Sequence, residues 1–120
     1  MAKGSVFLIH WDQAEAELYA EGLRGMGWKV GLEARDGGQV GKAVKLDRPN
    51  AIVIYHTLKP SHGRATVEYL AETKATRDIP IIFVGGEGET LEKTKAKLPK
   101  ARFIAEEEME RTLAEYAEIA

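Results

Sequence analysis

Between Ser5 and Ala105 the chain carries five short apolar runs, "SVFLIHW", "WKVGLEA", "NAIVIYH", "IIFVGG" and "ARFIA", and a segment of helical periodicity follows each one. Few folds accommodate that alternation. Parallel strands need a crossover of a dozen or more residues between them, and a helix supplies it. Runs that are apolar at successive positions, not at every second one, mark strands buried on both faces. The pattern therefore predicts an α/β fold, a doubly wound five-stranded parallel sheet with helices on both faces. Right-handed crossovers, with the most apolar strands (one, three and four) in the middle, give the order 2-1-3-4-5.

Asp12 is placed as a helix N-cap, with Glu15 completing a capping box. The first helix, "QAEAELYAEGLRGMG", turns Ala14, Leu18 and Leu23 or Met26 inward, and Gly25 or Gly27 closes it. The second, "QVGKAVKLD", offers Val40, Ala43, Val44 and Leu46; the third, "RATVEYLAETKAT", offers Val67, Leu70 and Ala71. The fourth, "EGETLEKTKAKLP", is polar and anchored by Leu91 and Leu98. The last, "EEEMERTLAEYAEIA", buries Met109, Leu113, Tyr116 and Ala117. Without repeats, low-complexity stretches or linkers, residues 1–120 read as a single domain with no output domain attached.

A net charge of −2 gives no clustered basic face of the kind nucleic-acid phosphates reward. The basic stretch "KTKAKLPKAR" is offset by "AEEEMER" just after it. No run approaches the ~20 apolar residues of a membrane span. The apolar stretch near the amino terminus is too short for a signal peptide, so a cytoplasmic location follows by default. The absence of cysteine excludes disulfides and thiolate metal sites. Asn50 is the only asparagine and Gln13 and Gln39 the only glutamines, a composition that suits a thermophilic source.

The framework stretches "VFLIHWDQAEAEL", "ARDGGQVGKAVKLDRPNAIVIY", "IPIIFVGG" and "ARFIA", with Pro49 ahead of the third strand and Gly63 after it, occur in a telling order and spacing. In these features nearly the whole chain resembles the receiver domain of two-component response regulators, the CheY-like family. The resemblance implies phosphorelay signalling and five chemical groups at the carboxyl edge of the sheet. Two acids ending the first strand bind Mg²⁺, and an aspartate ending the third is phosphorylated. A Thr or Ser ends the fourth, and a lysine the fifth. Magnesium needs hard oxygen ligands, and the phosphoryl group needs cationic partners.

All five positions depart from that pattern. His10 and Trp11 stand at the acid pair, with Asp12 one place out of register. Tyr55 stands at the phosphoacceptor, eight residues before Gly63; Gly85 replaces the hydroxyl residue, and Glu106 the lysine. A tyrosine forms no acyl phosphate. The chain therefore reads as a pseudo-receiver, a non-enzymatic signalling domain without cofactor that acts through a protein partner. Its oligomeric state is left open. A His10–Glu106 pair, with Trp11 and Tyr55 as aromatic bulk, is expected to close the former pocket. The resemblance also implies an output face on the fourth helix, fifth strand and fifth helix, where Lys93, Lys95, Lys97, Arg102, Phe103, Met109 and Tyr116 are the partner-binding candidates. Two alternatives stand beside this reading: a phosphorylatable regulator with a displaced site, and a sensor that takes a small ligand or metal in the altered pocket.

Other motifs lead nowhere. His10, Asp12 and His56 suit a transition metal in residue type, but each has a competing structural role, and no metal site is assigned. "DGGQVGKA" approaches the phosphate-binding loop pattern, yet has Asp36 where glycine is needed and Ala43 where Ser or Thr is needed. "GGEGE" reads as a mobile connection whose Glu87 and Glu89 repel anions.

Overall fold

A computed structural model describes residues 3–117. The strands are β1 (Ser5–Ile9), β2 (Lys29–Glu33), β3 (Ala51–Tyr55), β4 (Ile81–Val84) and β5 (Arg102–Ile104). The helices are α1 (Gln13–Gly25), α2 (Gly37–Leu46), α3 (Pro60–Glu72), α4 (Gly88–Lys97) and α5 (Met109–Ala114), the last entered through a 3₁₀ turn at Glu106–Glu108. The five strands are parallel in the order β2-β1-β3-β4-β5, as the sequence predicts. The sequence-predicted fifth helix continues into residues 118–120, which lie outside the described residues.

Successive side chains of a strand point to opposite faces. In β3, Ala51, Val53 and Tyr55 join one core cluster with Leu23, Met109 and Leu113 from α1 and α5. Ile52 and Ile54 join the other, with Val40, Val44, Val67 and Leu70 from α2 and α3. All five β3 residues are buried, which is why the strand is apolar without alternation.

Two helices turn a different face inward from the one their larger apolar residues suggest. In α1 the buried stripe is Ala16, Ala20 and Leu23, while Ala14 is exposed and Leu18 is 68% exposed. The small alanines let α1 lie close on the sheet, and Leu18, two positions from each, falls about 160° away from them around the helix, nearly on the opposite side. In α2, Val40 and Val44 are buried and Ala43 partly so, but Leu46 is 90% exposed. In α3, which starts four residues earlier than its periodicity suggests, Val67 and Leu70 are buried and Ala71 is exposed. In α4, Leu91 is half-buried and Thr94 is the residue fully inside, while Leu98, just past the helix end, is buried.

Candidate functional site at the carboxyl edge of the sheet

The carboxyl ends of β1, β3, β4 and β5 come together at one edge, where ligands bind in open α/β sheets. Strand pairing carries on slightly past the strands themselves: the His10 amide bonds the Glu33 carbonyl, His56 the Val84 carbonyl and Gly85 the Ile104 carbonyl. These contacts fix which way each successive side chain turns. His10 and Tyr55 face α1 and α5; Trp11 and His56 face α2, α3 and α4. The edge is thus split between two faces.

On the α1/α5 face, Tyr55 is 5% exposed and its hydroxyl donates to Glu106 Oε1 at 3.0 Å. Its ring stacks on Tyr19, with centroids 4.4 Å apart, and His10 lies 5.0 Å from it. Burial, reinforced by the charge and hydrogen bond of Glu106, raises the Tyr55 pKa far above that of a free phenol. Desolvation also raises that of Tyr19. Both rings therefore stay neutral at physiological pH.

His10 does not pair with Glu106 as the sequence suggests. Its Nε2 meets Glu15 Oε1 at 2.8 Å, while Tyr55 takes Glu106. The turn from β1 into α1 supplies the reason. Asp12 caps the helix by accepting from the Glu15 amide at 2.9 Å. The Glu15 carboxylate then reaches His10 directly above the helix start, so half of the expected capping box becomes a histidine anchor.

On the opposite face, Trp11 is buried against His62, with ring centroids 4.1 Å apart. A Cβ on Gly63 would come within 2.9 Å of Ile54 Cδ1 and 3.5 Å of Trp11 Nε1, so α3 approaches this closely only because residue 63 has no side chain. His56 packs edge-on against Phe83 and bonds Thr94 Oγ1 at 2.7 Å. Arg64 Nε donates to the same oxygen at 3.0 Å. This buried network ties β3, α3 and α4 together. Thr94 and Arg64 escaped sequence reasoning, because their partners lie 30 and 38 positions apart along the chain. His10 and His56 occupy opposite faces, so the His10, Asp12 and His56 set does not converge, and no cluster of three metal-ligating side chains occurs among the described residues.

The candidate output face follows edge strand β5. Lys93, Lys95 and Lys97 are exposed; Lys95 sits over the Phe103 ring at 5.7 Å, and Phe103 stacks on Phe83. Arg102 bonds Glu115 at 2.9 Å and lies 6.0 Å from the Tyr116 ring centroid. Met109, expected to meet a partner, is instead 6% exposed: it anchors α5 to the sheet and is unavailable.

No family model matches this chain, and no curated protein sequence matches it significantly. Solved structures do. The chemotaxis protein CheY4 of Vibrio cholerae superposes with a TM-score of 0.78 at 14% identity, over 96% of this chain and 99% of that one. The receiver domain of the sensor histidine kinase PA1611 from Pseudomonas aeruginosa, solved with magnesium in its active-site cleft, gives 0.73 at 21% identity over 96% and 98%. The N-terminal domain of a response regulator receiver protein from Methanoculleus marisnigri gives 0.72 at 17% identity over 93% and 91%. Strand order, helix placement and these superpositions agree: the chain has the CheY-like receiver fold.

Proposed function

We propose that this chain is a receiver-like signalling domain that has left aspartyl phosphorylation behind and works, without catalysis, by binding a protein partner in the cytoplasm. The observation that carries the reading is the hydroxyl of Tyr55, buried and bonded to Glu106 at the strand tip to which the receiver resemblance assigns the phosphoacceptor. An aromatic ring bonded to a carboxylate offers no acyl acceptor, and the carboxylate repels an incoming phosphoryl group. Asp12 supplies one acid near the former metal position, but its Oδ1 is engaged in capping α1.

The partner surface in this reading is the strip along β5, with Lys93, Lys95 and Lys97 on one side and Arg102 and Tyr116 on the other. Its exposed lysines steer an acidic partner. No helix among the described residues is long and apolar enough to cross a membrane, which is compatible with such a role.

Two measurements test it. Incubation with acetyl phosphate and Mg²⁺ should leave the intact mass unchanged; a gain of one phosphate would instead establish a displaced phosphorylation site. Capture from extract of the source organism should retain a protein that the Lys95→Glu, Lys97→Glu variant loses. Equal retention by both baits would remove the β5 strip from the reading.

A further inference from the structure

The β3–α3 and β4–α4 loops and the starts of α3 and α4 border an open cavity of about 450 Å³, lined by His56, Thr57, Pro60, Gly86, Glu87 and Thr90. Its volume lies in the usual range for small-molecule sites, roughly 300–1,000 Å³. It opens on the α3/α4 side of the sheet edge, and neither Tyr55 nor Glu106 belongs to its wall.

The hydrogen bonds of Thr94 fix the tautomer of His56. A threonine hydroxyl has a single proton to donate. Thr94 Oγ1 lies 3.1 Å from the Thr90 carbonyl, which only accepts, and 3.0 Å from Arg64 Nε, which only donates. With the hydroxyl proton directed to Thr90, both lone pairs accept, one from Arg64 and one from His56, which assigns the proton of the ring to Nε2, at 2.7 Å. In a neutral imidazole that leaves Nδ1 as a lone-pair nitrogen. Burial, seconded by the nearby Arg64 charge, holds the His56 pKa below its ordinary value, so the ring is neutral at neutral pH.

His56 is 3% exposed, and its Nδ1 has no partner among the described residues. A buried acceptor left unsatisfied destabilises the fold, and a ligand donor would relieve it. A Cβ built on Gly86 would stand 2.6 Å from that nitrogen, so the ring and the β4–α4 loop lie this close only because residue 86 has no side chain. Glu87, the next residue, adds a carboxylate to the same cavity. Its clearest free groups, Nδ1 and this carboxylate, both accept hydrogen bonds.

We propose that this cavity is a binding site for a small neutral molecule that presents N–H donors, received by His56 Nδ1 and the Glu87 carboxylate. It inverts the preference of a phosphate-binding edge. An anion meets Glu87 and an acceptor nitrogen, and a cation meets Arg64 close behind His56. The inference is independent of the protein-interaction reading above.

The test is a titration of the ¹⁵N-labelled chain with 2-aminopyrimidine, followed at the His56 ring nitrogens and at the Thr57, Gly86 and Thr90 amides. The free protein should show Nδ1 as an unprotonated nitrogen, and the probe should shift it saturably. Pyrimidine, which lacks the amino donor, should bind roughly ten-fold more weakly, the equivalent of one net hydrogen bond. Gly86→Ala should abolish the response. Because that change strains a backbone with φ of +90°, Glu87→Ala, at an exposed position, is the second variant, and it should weaken binding by a similar factor. A protonated Nδ1 in the free protein, no response, an equal response to pyrimidine, or saturation of the same residues by inorganic phosphate would each overturn the proposal.

Discussion

Tyr55 and His56 are neighbours in sequence, yet they answer to different surroundings because a strand turns alternate residues to opposite faces. Removing the Tyr55 hydroxyl while keeping its ring should isolate the bond to Glu106. Tyr55→Phe is expected to cost about 1 kcal/mol, the net worth of one hydrogen bond, read as a lower urea midpoint at constant slope. His56 makes a prediction about acid. Its folded pKa is depressed, so the unfolded chain binds the proton more readily. The associated stability is complete above the ordinary histidine value of about 6.5 and is lost as pH falls through the lower, folded value. His56→Gln, which keeps a donor near the Nε2 position, should flatten this part of the pH profile; an unchanged slope would place the acid sensitivity elsewhere. The Tyr55 position was legible from its spacing to Gly63. The choice of Glu15 over Glu106 by His10 was not, because Glu15 serves two patterns at once and only the path of the turn after β1 decides between them.

At the scale of elements, α4 rests on an uncommon foundation. Its only fully buried residue is Thr94, and Glu87 at its start makes no side-chain cap. Thr94→Val preserves shape but leaves the donors of His56 and Arg64 without an acceptor, at an expected cost of about 2–4 kcal/mol. Thr94→Ser, which keeps the oxygen, should retain most of the stability. Hydrogen exchange should show the valine variant losing protection first in α4. The helices also show why periodicity locates an element better than it orients one. In α1 the close-packed stripe consists of alanines, which weigh little in an apolar pattern, so the eye goes to Leu18. Leu46 misleads in the same way from the end of α2. Leu46→Lys, at so exposed a site, should change stability by no more than about 0.5 kcal/mol. The central strands β1, β3 and β4 carried no such ambiguity: buried on both faces, they are apolar nearly throughout, and there is no face to choose.

At the scale of the molecule, strand order was readable from the chain because right-handed crossovers leave few arrangements. The pairing of side chains across the sheet edge was not, because it depends on contacts between distant segments. In this chain an aromatic cluster lies on one side of the sheet and a polar network on the other, with β3 contributing to each. Among the described residues the two sets share no hydrogen-bond partner: Tyr55 bonds Glu106, whereas His56 bonds Thr94. The sheet therefore acts as an insulator. A double variant, Tyr55→Phe with Thr94→Val, should lose the sum of the two single losses to within about 0.5 kcal/mol. Whatever acts on one side would then be felt on the other only by moving the sheet itself, so the two halves of the edge would answer to their surroundings separately.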